Sequence, residues 1–307
     1  MKYLITGGGG FIGSNIVETL LKRGDQPRVL DDFSTGKRAN LEAFKNDIEI
    51  IEGDIRNYST VEKAVTGMDF VLHQAALPSV PRSVADPLLS NAVNIDGTLN
   101  VLEASRQAKV KKFVMASSSS VYGESEELPK HEGMMPGPLS PYAVSKITGE
   151  YYARVYYQLY GLPTVCLRYF NVFGPRQDPN SEYSAVIPKF ITALAKGKQP
   201  TVYGDGEQSR DFTYIDNTVD GNILAAENPD LAGEVCNCAC GGQFTLNELL
   251  DRLRKILGVN TEAIYADPRA GDIKHSFAAI DKIMKYGFKP TVDFDKGLQQ
   301  TVKFFTG

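Results

Sequence analysis

The first half of the chain alternates short apolar runs with longer amphipathic segments. Short apolar runs bounded by turn residues predict strands, whereas apolar positions that recur every three or four residues predict helices. The predicted strands are 2–6, 28–31, 48–52, 70–73, 112–117 and 163–168. The predicted helices are 11–23, 91–108 and 142–160, the last capped by Ser140 with Pro141 at its first position. This strand–helix succession is typical of an α/β fold with a parallel, doubly wound sheet.

Beyond residue 168 the pattern becomes less regular. Residues 174–180, Gly-Pro-Arg-Gln-Asp-Pro-Asn, are rich in turn formers, and shorter apolar runs follow them. We therefore expect one domain over 1–168 and a smaller mixed α/β domain over 169–307. Part of the second half is expected to return to the first sheet, which would make the boundary discontinuous.

Composition excludes several classes of function. The chain has 307 residues, of which 42% are hydrophobic and 23% charged, as in ordinary globular enzymes. Its net charge of -4 argues against binding nucleic acid or an anionic membrane. No apolar run approaches the roughly 18 residues of a membrane span. A strand-like segment follows Met1 directly, so we expect no signal peptide and a cytoplasmic protein.

The cysteines and histidines do not predict a metal site. Cys236, Cys238 and Cys240 alternate along a strand-like stretch, which puts them on one face of a strand. A zinc site would need further ligands and the usual C-x-x-C spacing. The three histidines are scattered through the sequence: His73, His131 and His275. We interpret the cysteines as small packing residues.

A glycine-rich turn between the first strand and the first helix predicts a dinucleotide site. Gly7, Gly10 and Gly13 are three residues apart, which permits a tight turn and close approach of a pyrophosphate to the helix N-terminus. Asp31 ends the second strand, 18 positions beyond Gly13. A carboxylate there accepts hydrogen bonds from ribose hydroxyls and repels a 2′-phosphate. This arrangement predicts a Rossmann-type domain that binds NAD.

Other residues near this turn bear on the cofactor. Lys37 and Arg38 could contact a 2′-phosphate, but we interpret them as part of a solvated loop. Polar and small residues also follow the third and fourth strands, where ligands of parallel sheets bind. These are Asp54, Ile55, Gln74, Ala75 and Ala76.

A serine, a tyrosine and a lysine add redox chemistry to the nucleotide site. Tyr142 and Lys146 are four residues apart, one turn on the same helix face. An ammonium at that distance favours ionisation of the phenol, whose pKa is ordinarily about 10. Ser118 supplies a hydroxyl that can hydrogen-bond to a substrate oxygen and to the phenolate. The three groups can remove a proton from an alcohol while its carbon loses hydride.

With these residues in place, the chain resembles the extended short-chain dehydrogenase/reductase family over essentially its whole length. The resemblance is to the nucleotide-sugar epimerases and dehydratases in particular. Its motifs are T-G-G-G-G-F-I-G at 6–13, H-Q-A-A at 73–76, N-x-x-G-T at 94–98, S-S-S-S-V-Y-G at 117–123, P-Y-x-x-S-K at 141–146, L-R-Y-F-N-V-F-G-P at 167–175, R-D-F at 210–212 and R-x-G-D at 269–272.

The resemblance implies roles for individual positions. Ser118 is the implied catalytic hydroxyl, Tyr142 the base and Lys146 its partner. The implied NAD contacts are Gly7, Gly10, Phe11, Ile12, Gly13, Asp31, Asp32, Phe33, Ser34, Thr35, Gly36, Asp54, Ile55, Gln74, Ala75, Ala76, Asn94, Ser117, Tyr142, Lys146 and Tyr169. The implied UDP-sugar contacts are Ser79, Ser118, Ser119, Tyr142, Asn171, Ala185, Val186, Lys189, Tyr203, Arg210, Arg269, Asp272 and Ser276.

Three serines narrow the expected reaction and substrate. Dehydratases of the family carry an Asp-Glu pair where this chain has Ser119 and Ser120, and UDP-glucuronate decarboxylases carry a glutamate at the second position. Neither serine is a general acid or base near neutral pH. Ser276 lies where the family contacts the sugar's 2-substituent, and it leaves room for an acetamido group. The stretches S-V-P-R-S at 79–83, N-x-x-N-I-D-G-T at 91–98, R-Q-D-P-N at 176–180, S-R-D-F at 209–212 and G-D-I-K-H-S at 271–276 also resemble those of UDP-N-acetylglucosamine 4-epimerases.

Two alternatives stay open at this point. One is an epimerase of UDP-glucose only, and the other is a different nucleotide-sugar oxidoreductase or dehydratase. A regulatory protein built on an inactive enzyme is disfavoured, because the Ser-Tyr-Lys triad is intact. The resemblance also implies a homodimer joined by the helices around 91–108 and 142–160.

Overall fold

The computed structural model describes residues 1–179, 186–268 and 274–307. Its strands are β1 (Lys2–Thr6), β2 (Gln26–Asp31), β3 (Glu49–Glu52), β4 (Phe70–His73), β5 (Lys112–Ser118), β6 (Thr164–Tyr169), β7 (Val172–Phe173), β8 (Thr201–Tyr203), β9 (Ser209–Arg210), β10 (Thr213–Tyr214), β11 (Val235–Cys238), β12 (Phe244–Thr245), β13 (Ile264–Ala266) and β14 (His275–Ser276). Its helices are α1 (Phe11–Lys22), α2 (Tyr58–Val65), α3 (Val80–Ala85), α4 (Pro87–Asn91), α5 (Gly97–Gln107), α6 (Pro141–Tyr160), α7 (Val186–Ala195), α8 (Ile215–Glu227), α9 (Leu246–Leu257), α10 (Asp281–Lys285) and α11 (Phe294–Thr306).

Seven parallel strands form the central sheet, in the order β3-β2-β1-β4-β5-β6-β11. Successive residues of a strand point to opposite faces, so each strand contributes to two cores. On β1, Leu4 packs in the core beneath α2, α5 and α6, whereas Tyr3 and Ile5 pack in the core shared with α1 and α8. The predicted α/β fold with a doubly wound parallel sheet is confirmed.

Smaller mixed sheets lie beyond residue 169. They pair β7 with β10, β8 with β13, and β9 with both β12 and β14. The predicted cysteine-bearing strand is β11, which pairs in parallel with β6 at the edge of the central sheet. It holds Cys236 and Cys238 but ends before Cys240, so the prediction was wrong for the third cysteine. Cys236 and Cys238 are fully buried there. Within the described residues, no helix is both long and apolar enough to cross a membrane.

The helix predicted over 91–108 is interrupted. Helix α4 ends at Asn91, a π-helical turn follows over Ala92–Asp96, and α5 begins at Gly97. The wider π turn carries Asn94, which is buried and faces inward. Such turns often occur beside functional sites, and this one lies directly behind the segment that follows β4.

Candidate active site

The turn from β1 into α1 leaves space for a ligand because it has no side chains. A Cβ on Gly13 would lie 2.2 Å from the Gly7 carbonyl oxygen and 2.8 Å from the Cα of Gly8. Gly7 has a φ of 70°, which other residues rarely adopt. The start of α1 therefore approaches the end of β1 closely enough to present its free N–H groups to an anion. This cradle fits the pyrophosphate of a dinucleotide.

Asp31 is bonded to the same turn. One carboxylate oxygen accepts a hydrogen bond from the Gly9 N–H at 2.8 Å, and the other accepts from the Phe33 N–H at 2.7 Å. Burial raises the pKa of Asp31, and these two N–H donors act in the opposite direction. Each carboxylate oxygen has a second lone pair, so the group retains acceptors for hydroxyls.

The two cations near Asp31 have partners of their own. Lys37 forms an ion pair with Asp178 at 2.8 Å. Arg38 pairs with Glu52, and its guanidinium lies 4.2 Å from the centre of the Phe33 ring. Because both cations are already paired with carboxylates, they are poorly placed to attract a 2′-phosphate.

A cleft of about 700 Å³ runs along the carboxyl ends of the parallel strands. All the predicted NAD contacts line it except Phe33 and Asn94. Asn94 instead supports the cleft wall: its side chain accepts from the Leu77 N–H at 2.7 Å and donates to the Leu77 carbonyl at 3.2 Å. The sequence did not identify several other lining residues. These include Asn40, Leu77, Pro78, Arg82, Val93, Arg176, Gln177 and Asp178.

The segment 174–178 crosses the start of α1 and closes one side of the cleft. Arg176 donates hydrogen bonds to Asn15 at 2.5 Å and to Glu18 at 2.7 Å, both on α1. The Asn15 amide donates to the Pro175 carbonyl at 3.1 Å. The turn-rich composition predicted a connection here, but composition gives no signal for contacts between residues about 160 positions apart.

His73 lies in the core next to the glycine turn and links β1 to α5. It is fully buried, and its ring nitrogens lie 2.7 Å from the Thr6 hydroxyl and 2.9 Å from the Thr98 hydroxyl. Burial lowers the pKa of His73 to about 3, so the ring is neutral at physiological pH. The histidine therefore joins the end of β1 to α5, at the residue just before the glycine turn.

The Ser-Tyr-Lys triad meets at one end of this cleft. Ser140 caps α6 as predicted, since its hydroxyl accepts from the Ala143 N–H at 3.2 Å. Tyr142 lies close enough to Ser118, at the end of β5, for the serine hydroxyl to lower the pKa of the phenol. The Lys146 ammonium lies 5.8 Å from the centre of the Tyr142 ring and donates to the Ala116 carbonyl at 2.8 Å. The three side chains are therefore close enough to act together.

The predicted effect of Lys146 on Tyr142 needs correction. Burial raises the pKa of Tyr142, and the Ser118 hydroxyl offsets this only in part. Burial also lowers the pKa of Lys146 to about 8. The four-residue spacing correctly predicted proximity, but it carried no information on desolvation, which disfavours both charged forms.

The predicted UDP-sugar contacts fall into three groups. Ser79, Ser118 and Tyr142 line the cleft. The described residues outside its lining are Ser119, Asn171, Val186, Lys189, Tyr203, Arg210 and Ser276. Ala185, Arg269 and Asp272 lie outside the described residues. All these roles stay predictions.

Two of the predicted UDP-sugar contacts that lie outside the cleft lining are neighbours in one small sheet. Ser276 on β14 pairs with Arg210 on β9. Two residues further on, Ala278 packs in one cluster with Val121 and Tyr122, which belong to the turn just after Ser118. The sheet that carries Ser276 is therefore anchored beside the segment that follows Ser118.

Comparison with known proteins identifies the family. Residues 3–239 match the model described as the NAD dependent epimerase/dehydratase family. The chain belongs to this family. The match confirms the predicted NAD cofactor and, with the relatives below, an NAD-dependent UDP-sugar 4-epimerase.

The relatives match along nearly their whole length. UDP-glucose 4-epimerase of Mycolicibacterium smegmatis is 36% identical over 315 residues, which cover 99% of this chain and 98% of that protein. The solved UDP-N-acetylglucosamine 4-epimerase of Methanobrevibacter ruminantium M1, in complex with UDP-N-acetylmuramic acid, is 44% identical, with a TM-score of 0.95 and coverage of 99% and 97%. The solved UDP-glucose 4-epimerase of Thermus thermophilus, in complex with NAD, is 41% identical, with a TM-score of 0.92 and coverage of 100% and 99%.

The geometry of the glycine turn predicts that Gly13→Ala loses NAD. The added Cβ meets backbone atoms that cannot move away, and such overpacking commonly costs about 1–3 kcal/mol, or roughly tenfold or more in affinity. Mass spectrometry of nucleotide released by denaturation should find NAD in the wild type and little in the variant. Gly137→Ala is the matched control, because its Cβ would have no neighbour nearer than 3.4 Å. Recovery of NADP from the wild type would contradict the assignment to Asp31.

Proposed function

We propose that the protein inverts C4 of a UDP-hexose reversibly through a 4-keto intermediate. The preferred pair is UDP-GlcNAc and UDP-GalNAc, and UDP-Glc and UDP-Gal are a second pair. The observation that carries the proposal is that Ser118, Tyr142 and Lys146 together line one cleft, with the Lys146 ammonium 5.8 Å from the centre of the Tyr142 ring. An alcohol bound there meets a proton acceptor and a hydrogen-bond donor together.

When bound in the cleft, NAD would supply the hydride acceptor for C4 and a positive charge that favours an ionised phenol. Tyr142 takes the proton of the C4 hydroxyl and later returns it. Ser118 bridges the phenol and the substrate oxygen. Lys146, held by the Ala116 carbonyl, keeps a positive charge beside the phenolate when its amine is protonated. Inversion requires the sugar to turn while the UDP stays bound.

The residues after Ser118 support epimerisation over elimination. Ser119 and Ser120 carry only hydroxyls, and the Ser120 N–H donates to the Ser118 hydroxyl at 3.1 Å. A dehydratase needs an additional acid or base to expel water, and these hydroxyls do not ionise near neutral pH. A dehydratase or net oxidoreductase remains the rival outcome, and it would lose water or accumulate reduced cofactor.

The preference for an N-acetylated sugar is supported by Ser276 and by one relative. A serine at this position leaves space that a tyrosine would fill. The 44% identical relative of known structure is a UDP-N-acetylglucosamine 4-epimerase. The rival preference, UDP-glucose alone, is the activity named for the relatives from M. smegmatis and T. thermophilus.

We also propose that two copies of the chain pair through α6 and the predicted segment 91–108, together with α4, which precedes that segment. Val144, Tyr151, Val155 and Leu159 form an exposed stripe along one face of α6. Leu88 on α4, which packs beside α6, is 82% exposed. A second copy related by two-fold symmetry would bury the same apolar stripe on both chains.

Tyr142→Phe should abolish turnover and retain UDP-sugar binding. The ring and its packing are kept, whereas the proton acceptor is lost, which typically costs about 10²–10⁴-fold in rate. Incubation with UDP-GlcNAc, followed by chromatography or NMR of the products, measures the loss. Tyr157→Phe, on the same helix, should behave as wild type. A Tyr142→Phe protein that keeps most of its activity would disprove this role.

Ser276→Tyr should change the ratio of activities and not merely lower them. A ring placed where the acetamido group binds costs about 1–3 kcal/mol of strain, or roughly tenfold or more in kcat/KM for UDP-GlcNAc. UDP-Glc, with a hydroxyl at C2, should lose much less. Ser276→Ala is the control, because it adds no volume. An unchanged ratio of kcat/KM for the two sugars would remove Ser276 from the substrate pocket.

Sedimentation should give the wild type about twice the 33.7 kDa mass of one chain. A charge at the centre of the α6 stripe should separate the two copies, so Val155→Asp is expected to sediment as a monomer. Met135→Asp carries the same charge at a position that is 89% exposed and outside α4 and α6, and it should remain a dimer. A monomeric wild type, or a dimeric Val155→Asp, would contradict the pairing.

A further inference from the structure

Helix α6 presents three polar side chains in a row to the central sheet. Tyr142, Lys146 and Glu150 are spaced four residues apart, so they stack on one face of the helix. Glu150 is buried, with 3% of its side chain exposed. Tyr142 and Lys146 belong to the triad, but the proposed reaction gives Glu150 no role.

Glu150 joins the helix to two strands at once. One carboxylate oxygen accepts from the Ser117 hydroxyl at 2.5 Å and from the Arg168 Nε at 2.9 Å. The other accepts from the Arg168 Nη2 at 2.7 Å. Ser117 on β5 and Arg168 on β6 are directly opposite each other in the sheet. The carboxylate therefore fixes α6 against both strands, next to Ser118.

The ion pair is closed to water on its far side. The Arg168 guanidinium lies 4.6 Å from the centre of the Tyr122 ring, and the Tyr122 hydroxyl donates to Asn237 at 2.6 Å. A well-packed apolar pair would occupy such a site without the desolvation cost of two charges. Stability alone is therefore a poor reason for placing charges here.

Lys146 is surrounded by titratable groups from three elements. They are Tyr142 and Glu150 on α6, Cys166 on β6 and His73 on β4, and Arg168 on β6 is the ion-pair partner of Glu150. Burial raises the pKa of the Tyr142 phenol and of the Cys166 thiol, and it lowers that of His73, so these three groups are neutral at physiological pH. Among the described residues that affect Lys146, Glu150 is then the anion that favours its ammonium form.

We propose that Glu150 is a positioning residue, which holds α6 on β5 and β6 and compensates the buried Arg168 charge so that Lys146 stays cationic beside Tyr142. This inference rests on the proposed function, because a cationic Lys146 matters only where Tyr142 acts as a base. Removing the carboxylate would take an anion away from Lys146 and would also leave the Arg168 cation without its ion-pair partner. Both changes disfavour the ammonium form of Lys146.

The charge role is separable from a packing role by three variants of the NAD-bound protein. Glu150→Gln keeps the size of the side chain and an acceptor for Ser117 but removes the charge. Glu150→Asp keeps the charge and shortens the side chain. Glu150→Gln combined with Arg168→Met removes both charges, so the net charge of the pair is zero, as it is in the wild type. Thermal unfolding reports whether each variant is folded.

Two measurements then report the protonation state of Lys146 in each variant. Titration of protein labelled with ¹³C at lysine Cε, with Lys146→Arg to assign the signal, reports its protonation directly. The pH profile of kcat/KM for UDP-GlcNAc reports the same group during turnover. We expect Glu150→Gln to move the Lys146 titration, and the alkaline limb of the profile, to lower pH by about one pH unit or more. Glu150→Asp and the double variant should both titrate close to the wild type.

Two outcomes would contradict the proposed role of Glu150. If Glu150→Gln lowers the unfolding temperature but leaves the Lys146 titration unchanged, or if the double variant shifts as far as the single one, Glu150 is only a packing residue. A failure of the proposed function is distinguishable from this outcome. In that case the wild type would not interconvert UDP-sugars, whereas the NMR titration of Lys146 would still decide the role of Glu150.

Discussion

The packing of α6 against β5 and β6 is the constraint on which the active site depends. This helix carries the tyrosine and the lysine of the triad, and the adjacent end of β5 carries the serine. The proposed proton acceptor, Tyr142, therefore keeps its position beside Ser118 only if the helix and the strand keep one relative position. The Ser140 cap, the Lys146–Ala116 hydrogen bond and the Glu150–Arg168 ion pair hold that position from one end of the contact to the other.

Desolvation sets the chemistry of the same contact. A helix face that packs on a sheet excludes water, so the Tyr142 phenol and the Lys146 amine both lose hydration. Burial therefore favours the neutral phenol of Tyr142, and it lowers the pKa of Lys146 to about 8, so the ammonium form of the lysine persists near neutral pH with a smaller margin. In the proposed reaction, the ionisation of Tyr142 therefore depends on the charges placed around it.

Local features of the fold could be predicted from the sequence, whereas long-range ones could not. Strands β1 and β4 were predicted with their observed bounds, because each is a short apolar run between turn residues. The glycine turn and the α6 cap are also local patterns. The π turn at 92–96 was missed, because it has the same apolar periodicity as an ordinary helix. The edge position of β11 depends on contacts with β6, about 70 residues away.

The position of β11 has a consequence for how the protein is made. The sheet that binds the dinucleotide is contributed mainly by the first 169 residues, but its last strand ends at Cys238. During synthesis, β6 must therefore remain an open edge while about 65 further residues leave the ribosome. A nascent chain that stops before β11 exposes a hydrophobic parallel strand to other chains. The central sheet is therefore complete only when the chain has been made as far as β11.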